Sequence, residues 1–370
     1  MATDSKGFVE RLVSRVGELA RSLGRRVKVM EVCGTHTVAA FRGGLRGLLP
    51  DGVELISGPG CPVCVTAQEE VDLSIAFSRL GDLVVCTYGD MLKVPGSGGI
   101  SLALARARGA DVRVVGSTEE VLRMALREGK RFVFLGVGFE TTAPATAWLA
   151  KEALKLGLSN LFICSLHKRV VPALEALLAD PDLAIDGFIL PGHVSVVLGL
   201  KAYRRLMEIK PVPMCVAGFD VPQMLSAIAV ILRDLVRGSP SLSSVYRRAV
   251  GEEGNGLAQA LLEEVFEPCD APWRGFGRLP LSGLCLKGPY ERLRAEPLLG
   301  EAVLGAGEEP MEGCLCGEVL KGKVRPTDCP LFGRACHPSS PVGPCMVSSE
   351  GSCAAHYRFG DGMGRWGVRA

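Results

Sequence analysis

The chain has 370 residues, 48% of them apolar and 22% charged, with a formal net charge of +2. That length accommodates two or three domains, because single cores seldom grow beyond about 250–300 residues. Near-neutral charge without a long basic run argues against nucleic acid as a partner. The most apolar stretch, residues 224–232, is too short to span a bilayer, so no membrane association is expected.

Residues 8–23 place Phe8, Leu12, Val16, Leu19 and Leu23 at helical spacing, which predicts an amphipathic N-terminal helix. No apolar leader precedes it, since Asp4, Lys6 and Glu10 interrupt the terminus, and a cytoplasmic protein is expected. Strands are predicted at 27–32, 53–57, 82–88 and 112–116, then at 131–137, 161–166, 187–191 and 212–218. These runs are continuously apolar rather than alternating, as in a parallel sheet buried on both faces. Helical segments separate them, and Ser117 with Glu120 has the spacing of a capping box. Two successive four-strand α/β units are the economical reading. They divide the chain into 1–115 and 116–225, followed by a helical and Cys-rich region over 226–370. Within the last part, a helical stretch to roughly 265 gives way to turn-rich segments and then to a Gly/Pro/Cys-rich region from 311 onward.

Polar motifs follow the predicted strands: "CGTHT" (33–37), "SGPGCPVC" (57–64), "TYGDMLKVPGS" (87–97), "GFETT" (138–142), "HKR" (167–169), "PGHVS" (191–195) and "AGFD" (217–220). Ligands of open parallel sheets bind beyond the carboxyl ends of the strands, so these loops define a crevice. In it, Cys61 and Cys64 form a CxxC pair, and Thr66 with Glu69 predicts a helix starting just after Cys64. A cysteine at a helix N-terminus has a stabilised thiolate. No second CxxC lies nearby at zinc-finger spacing, which favours a dithiol/disulfide couple; metal ligation and an inert pair stay open. Cys33 and His36 are either a soft ligand pair for a transition metal or a buried cysteine beside a histidine that satisfies backbone. His193, Asp90 and Glu140 are further crevice residues, with packing or capping as their bland alternative. Cys86, Cys164 and Cys215 fall inside apolar strands and read as core. Cys269 and Cys285 have no readable partner spacing.

All told there are fourteen cysteines, an unusual number for a cytoplasmic chain, where stable disulfides are rare and clustered thiols point to metal or redox chemistry. Six of them, Cys314, Cys316, Cys329, Cys336, Cys345 and Cys353, fall within about 40 residues. Six thiols are two more than one zinc or one [4Fe–4S] cluster needs, and spacing alone does not separate the two.

Taken together, "CGTHT", "GPGCPVC", "TYGDMLKVPGS", "GFETT", "PGHVSV" and "CPLFGRAC…PVGPCMVSSEG" resemble the HypD family of hydrogenase maturation factors over about residues 30–357. The resemblance implies two Rossmann-like parallel-sheet α/β domains plus a smaller Cys-rich, iron–sulfur-binding C-terminal domain. It implies a scaffold on which the Fe(CN)2CO group of [NiFe]-hydrogenase is assembled, with HypC as chaperone and HypE as cyanide donor. Cys33, with His36 beside it, would hold the iron, and Cys61/Cys64 would be the exchangeable dithiol. Cys314, Cys329, Cys336 and Cys353 would bind the [4Fe–4S] cluster, leaving Cys316 and Cys345 as a second thiol pair. A monomer entering transient complexes is expected. Arg169 and Asp220 depart from the family pattern. A different class remains open beside this: a zinc-stabilised α/β hydrolase or transferase with Cys33 and His36 as a nucleophile pair.

Overall fold

A computed structural model describes residues 2–300 and 313–360. The N-terminal helix spans Ala2–Leu23. Among the described residues nine parallel strands follow: β1 (Val27–Glu31), β2 (Val53–Ser57), β3 (Leu83–Thr87), β4 (Val112–Val114), β5 (Arg131–Gly138), β6 (Leu161–His167), β7 (Gly187–Leu190), β8 (Met214–Val216) and β9 (Leu242–Ser244). They build a five-stranded sheet in the order β2-β1-β7-β8-β9 and a four-stranded sheet in the order β4-β3-β5-β6. These layers are consistent with two Rossmann-like domains.

All eight expected strands are present, but their grouping differs from the two successive units. The chain leaves the first sheet after β2 through the helix Gln68–Phe77, completes the second sheet, and returns after β6 through the helix Val170–Ala179. β7 then pairs with β1, with Phe188 beside Met30. The middle sheet is therefore an insertion into the outer one. An apolar run shows that a strand is buried on both faces, yet it does not name the neighbour that accepts its hydrogen bonds.

The helix expected from 226 to 265 is interrupted. Val221–Arg237 ends at Gly238, whose positive φ of 62° provides a left-handed cap. β9 and a loop come next, and a second helix spans Gly256–Val265. Beyond it, the segments read as turn-rich form an antiparallel hairpin of β10 (Phe266–Trp273) and β11 (Gly277–Leu286), bulged between Cys269 and Ala271. Pro268, Pro272 and Pro280 obscure its strand character. The Gly/Pro/Cys-rich region is described over 313–360; its other residues lie outside the described ones.

Among the described residues three apolar clusters hold these layers. One packs Val16 and Leu19 with Val27, Ile228 and Ile231 on the outer face of the first sheet. Another packs Phe132 and Phe134 with Leu149, Phe266 and Tyr290. The third lies between the sheets and takes in Met30, Val63, Val133, Leu190 and Met346, so the C-terminal region closes onto the junction. Cys86, Cys164 and Cys215 are buried, as expected for core strand residues. No described helix is long and apolar enough to cross a membrane.

Candidate functional site

Cys33 follows β1 and is the N-cap residue of the helix Gly34–Arg42. Its amide donates to Glu31 Oε2 (3.1 Å), and Thr37 Oγ1 donates to Glu31 Oε1 (2.5 Å), so one buried carboxylate braces both sides of the loop. Burial raises the Glu31 carboxyl to about 7. Burial likewise pushes the Cys33 thiol up to about 12, against the pull of the His36 and Thr35 amides. Glu350 and Glu31 add to the rise.

The CxxC turn packs directly on this loop. Gly34 N donates to Gly60 O at 2.9 Å, and a Cβ on Gly60 would lie 2.1 Å from the Cys33 nitrogen. Only glycine fits that approach. Cys61 and Cys64 are joined as a disulfide at a Cα–Cα distance of 5.2 Å, and both are buried. Cys61 caps a four-residue helix, Pro62–Val65, with its Sγ accepting from Cys64 N at 3.2 Å. The expected Thr66/Glu69 capping box is not formed. Thr66 Oγ1 donates back to Pro62 O (2.9 Å), and Glu70 instead accepts from Ala67 N (2.9 Å), so the longer helix begins at Gln68. The slip has a physical cause: the CxxC closes a helical turn of its own before the chain can enter the next.

Glu70 also forms a buried ion pair with Lys168, a residue 1% exposed. The pair joins the segment that leaves the first sheet to the segment that returns, beside the CxxC disulfide. Sequence patterning gave no signal for it, because a lysine between His167 and Arg169 reads as a solvated loop.

His36 is fully buried. Its Nε2 donates to the carbonyls of Ala217 (3.2 Å) and Gly218 (3.0 Å), which leaves Nδ1 as an acceptor without a partner among the described residues. Burial lowers its pKa to about 4, so the ring is neutral. His193 is exposed and stacks on Phe219 (centroids 4.0 Å), which also lies 4.9 Å from His36. Asp90 accepts from Ser348 Oγ at 2.7 Å and so holds the C-terminal "SSEG" loop. Glu140 is buried and accepts from Val170 N (3.0 Å) at the start of the returning helix, a capping role; burial raises it to about 7. Tyr203, which the motifs did not single out, is buried within electrostatic reach of both Glu140 and Cys33. Asp220 caps the helix Val221–Arg237 by accepting from Gln223 N at 2.8 Å.

The C-terminal region reaches the same place. Thr35 Oγ1 donates to Glu350 Oε1 at 2.6 Å, and a Cβ on Gly34 would lie 2.5 Å from Glu350 Cβ. The short helices Cys316–Leu320 and Pro344–Val347 both pack on the Pro62–Val65 helix. Side-chain contacts run Cys314 to Cys316, Cys316 to Cys345, and Cys345 to Cys353. The contact with Cys316, and then burial, push the Cys314 thiol up. Cys336 is within electrostatic reach of Cys353, and its Sγ accepts from Val342 N (3.4 Å). Cys329 Sγ lies 3.9 Å from Gly313 O, next to Cys314. Among the described residues, no three His, Cys, Asp or Glu side chains surround one ion position; the thiols pack on one another. The converging thiols nevertheless suit a soft metal centre, with an N–H···S contact of the kind that tunes iron–sulfur clusters.

Fold and site together define a cysteine-rich α/β protein: two parallel α/β layers whose strand ends gather a lone cysteine, a CxxC disulfide and a knot of C-terminal thiols. The HypD family profile, described as "Hydrogenase formation hypA family", matches residues 7–360. The chain is 41% identical over 356 residues to hydrogenase maturation factor HypD of Escherichia coli (strain K12), covering 95% of this chain and 94% of that protein. It is 39% identical over 360 residues to the HypD of Rhodobacter capsulatus (96% and 95% covered) and 40% identical over 361 residues to that of Cupriavidus necator (95% and 94%). The chain belongs to the HypD family of hydrogenase maturation factors.

Proposed function

We propose that this chain is the scaffold on which the Fe(CN)2CO group of [NiFe]-hydrogenase is put together. The iron, as cargo, is held by the Cys33 thiolate with His36 beside it. A HypC-type chaperone and a HypE-type cyanide donor are the partners, and the chain works as a monomer in transient complexes. The supporting observation is the backbone contact of the Cys33 loop with the dithiol turn, through Gly34 N to Gly60 O at 2.9 Å.

Cyanide leaves a thiocyanate only by reduction: R–S–CN, two electrons and one proton give R–SH and CN⁻. Cys61 and Cys64, as a dithiol, supply that pair and close to the disulfide, releasing two protons, one of which goes to the departing thiol. The Cys33 thiol must first lose its proton, since only the thiolate binds iron. Neutral His36 keeps Nδ1 as an acceptor or ligand atom. Cys314, Cys329, Cys336 and Cys353 would hold a [4Fe–4S] cluster. When bound, it supplies single electrons. Cys316 and Cys345 stand beside the dithiol helix as a second pair able to hold electrons in twos.

The hydrolase or transferase reading is not favoured. A nucleophilic Cys33 needs a base, whereas the free acceptor of His36, Nδ1, makes no hydrogen bond to the thiol, which burial pushes up to about 12. Cys33→Ala in a host lacking its own copy is expected to abolish hydrogenase maturation while retaining the C-terminal iron. Normal maturation in that strain would remove Cys33 from its role.

A further inference from the structure

The two cysteines without a place in this scheme, Cys269 and Cys285, are joined across the hairpin at a Cα–Cα distance of 5.9 Å. In the β10–β11 register Glu267 faces Cys285 and Cys269 faces Gly283, so they are diagonal neighbours. A Cβ at Gly283 would lie 3.3 Å from Cys269 Sγ and 2.8 Å from the Ala271 side chain, so glycine there leaves room for the bridge. Both cysteines are half-buried and reachable by small thiols, unlike Cys61 and Cys64, which are 3% and 0% exposed.

This hairpin grips the two chain segments that cross between the sheets. At its tip Arg274 N donates to Val65 O (2.9 Å), Arg274 Nε donates to Thr66 O (3.0 Å), and Trp273 bridges to Thr66. Further along β11, Arg169 N donates to Ser282 O (2.8 Å), Arg169 Nη1 donates to Leu281 O (2.6 Å), and Lys168 bridges to Gly283. The residues next to the dithiol and next to the Lys168–Glu70 pair are thus held by a strand pair that carries a disulfide of its own.

We propose that Cys269–Cys285 is an exchange-competent staple that locks the hairpin over the dithiol turn and so limits the access of thiols to Cys61–Cys64. The proposal rests on the reading of Cys61/Cys64 as an exchangeable dithiol. A buried disulfide is attacked only when its surroundings open locally, and closing a loop of this size makes opening rarer. The staple closes by exchange with a low-molecular-weight disulfide: two thiols and R–S–S–R give the Cys269–Cys285 bond and two R–SH. The reverse reaction consumes two thiols and opens it.

The test begins with oxidised protein, alkylated under denaturing conditions and mapped by peptide mass. Cys269 and Cys285 are expected in one linked peptide pair; free alkylated thiols at both would overturn the proposal. In a dithiothreitol time course the half-buried staple is expected to open before Cys61–Cys64, and the opposite order would contradict it. In Cys269→Ser/Cys285→Ser, reduction of Cys61–Cys64 is expected to be about tenfold faster, as is hydrogen exchange at the Arg169 and Arg274 amides. Unchanged reduction and exchange rates would sink the gating role. Exchange at those amides reads the hairpin whatever the dithiol does. The dithiol reading has its own failure, normal hydrogenase maturation by Cys61→Ser/Cys64→Ser, which leaves the linkage and exchange results standing.

Discussion

Cys33 and Cys353 are both buried cysteines, yet the structure around them is built in different ways. Cys33 is fixed by the backbone: a parallel strand delivers it, Glu31 accepts its amide, and Gly60 presses against it with no room for a side chain. Cys353 sits at the start of the eight-residue helix Ser352–Phe359, in a region of short helices and turns without a sheet. There, thiol-to-thiol contacts and the docking of Met346 and Ala354 into the inter-sheet core do the work that a sheet does elsewhere. The first kind of site keeps its shape when its chemistry is removed. The second, if its thiols hold the proposed cluster, depends on that cluster for its shape.

Removing iron by chelation under mild oxidation is expected to expose residues 313–360 to protease while the thermal transition of the sheets stays in place. Loss of both together would show that the two regions share one stability. Next, Lys168→Met leaves Glu70 buried without its partner and is expected to cost about 3–5 kcal/mol in denaturant unfolding. Lys168→Met/Glu70→Gln, which keeps an acceptor for the Ala67 amide, is expected to recover most of that loss. Gly60→Ala sets a Cβ against the Cys33 backbone and is expected to cost about 3 kcal/mol, in contrast to Gly333→Ala, where nothing lies within 4 Å but φ is +68° and the cost is about 1 kcal/mol.

A further effect concerns pH. Glu140 is raised to about 7 from an ordinary value near 4.5, so the folded state holds its proton across that interval while the unfolded chain does not. Its contribution is therefore fully present below about pH 4.5 and is lost as pH rises through 7. Glu140→Gln keeps an acceptor for Val170 N and is expected to flatten the fall in stability between pH 5 and pH 8 by about 1–3 kcal/mol. An unchanged slope would assign the fall to other groups.

Much of the fold was legible because parallel strands buried on both faces write themselves as apolar runs, and "VKVMEV" or "RFVFLGV" leave little choice. What such runs omit is pairing: β7 joins β1 across an inserted sheet, and nothing in "GFILP" names that neighbour. β10 and β11 were hidden because their prolines mark turns as readily as edge strands. At the site, the strand-end motifs located the loops, since cysteine and histidine after a buried strand are chemically conspicuous. Glu31, Glu70 and Lys168 were missed because a carboxylate or ammonium in sequence looks solvated until its partner is placed against it. The Cys269–Cys285 link escaped for the same reason: sixteen residues of separation carry no spacing rule, and only the hairpin register brings the two together.

On the proposed function, Cys33 carries the iron under assembly. Infrared spectroscopy of anaerobically purified protein, co-produced with its chaperone and cyanide-donor partners, tests it most directly. Cyanide and carbonyl stretching bands are expected in the wild type and absent in Cys33→Ala, with the visible iron–sulfur absorption equal in both. Bands that survive in Cys33→Ala would place the iron elsewhere and contradict it.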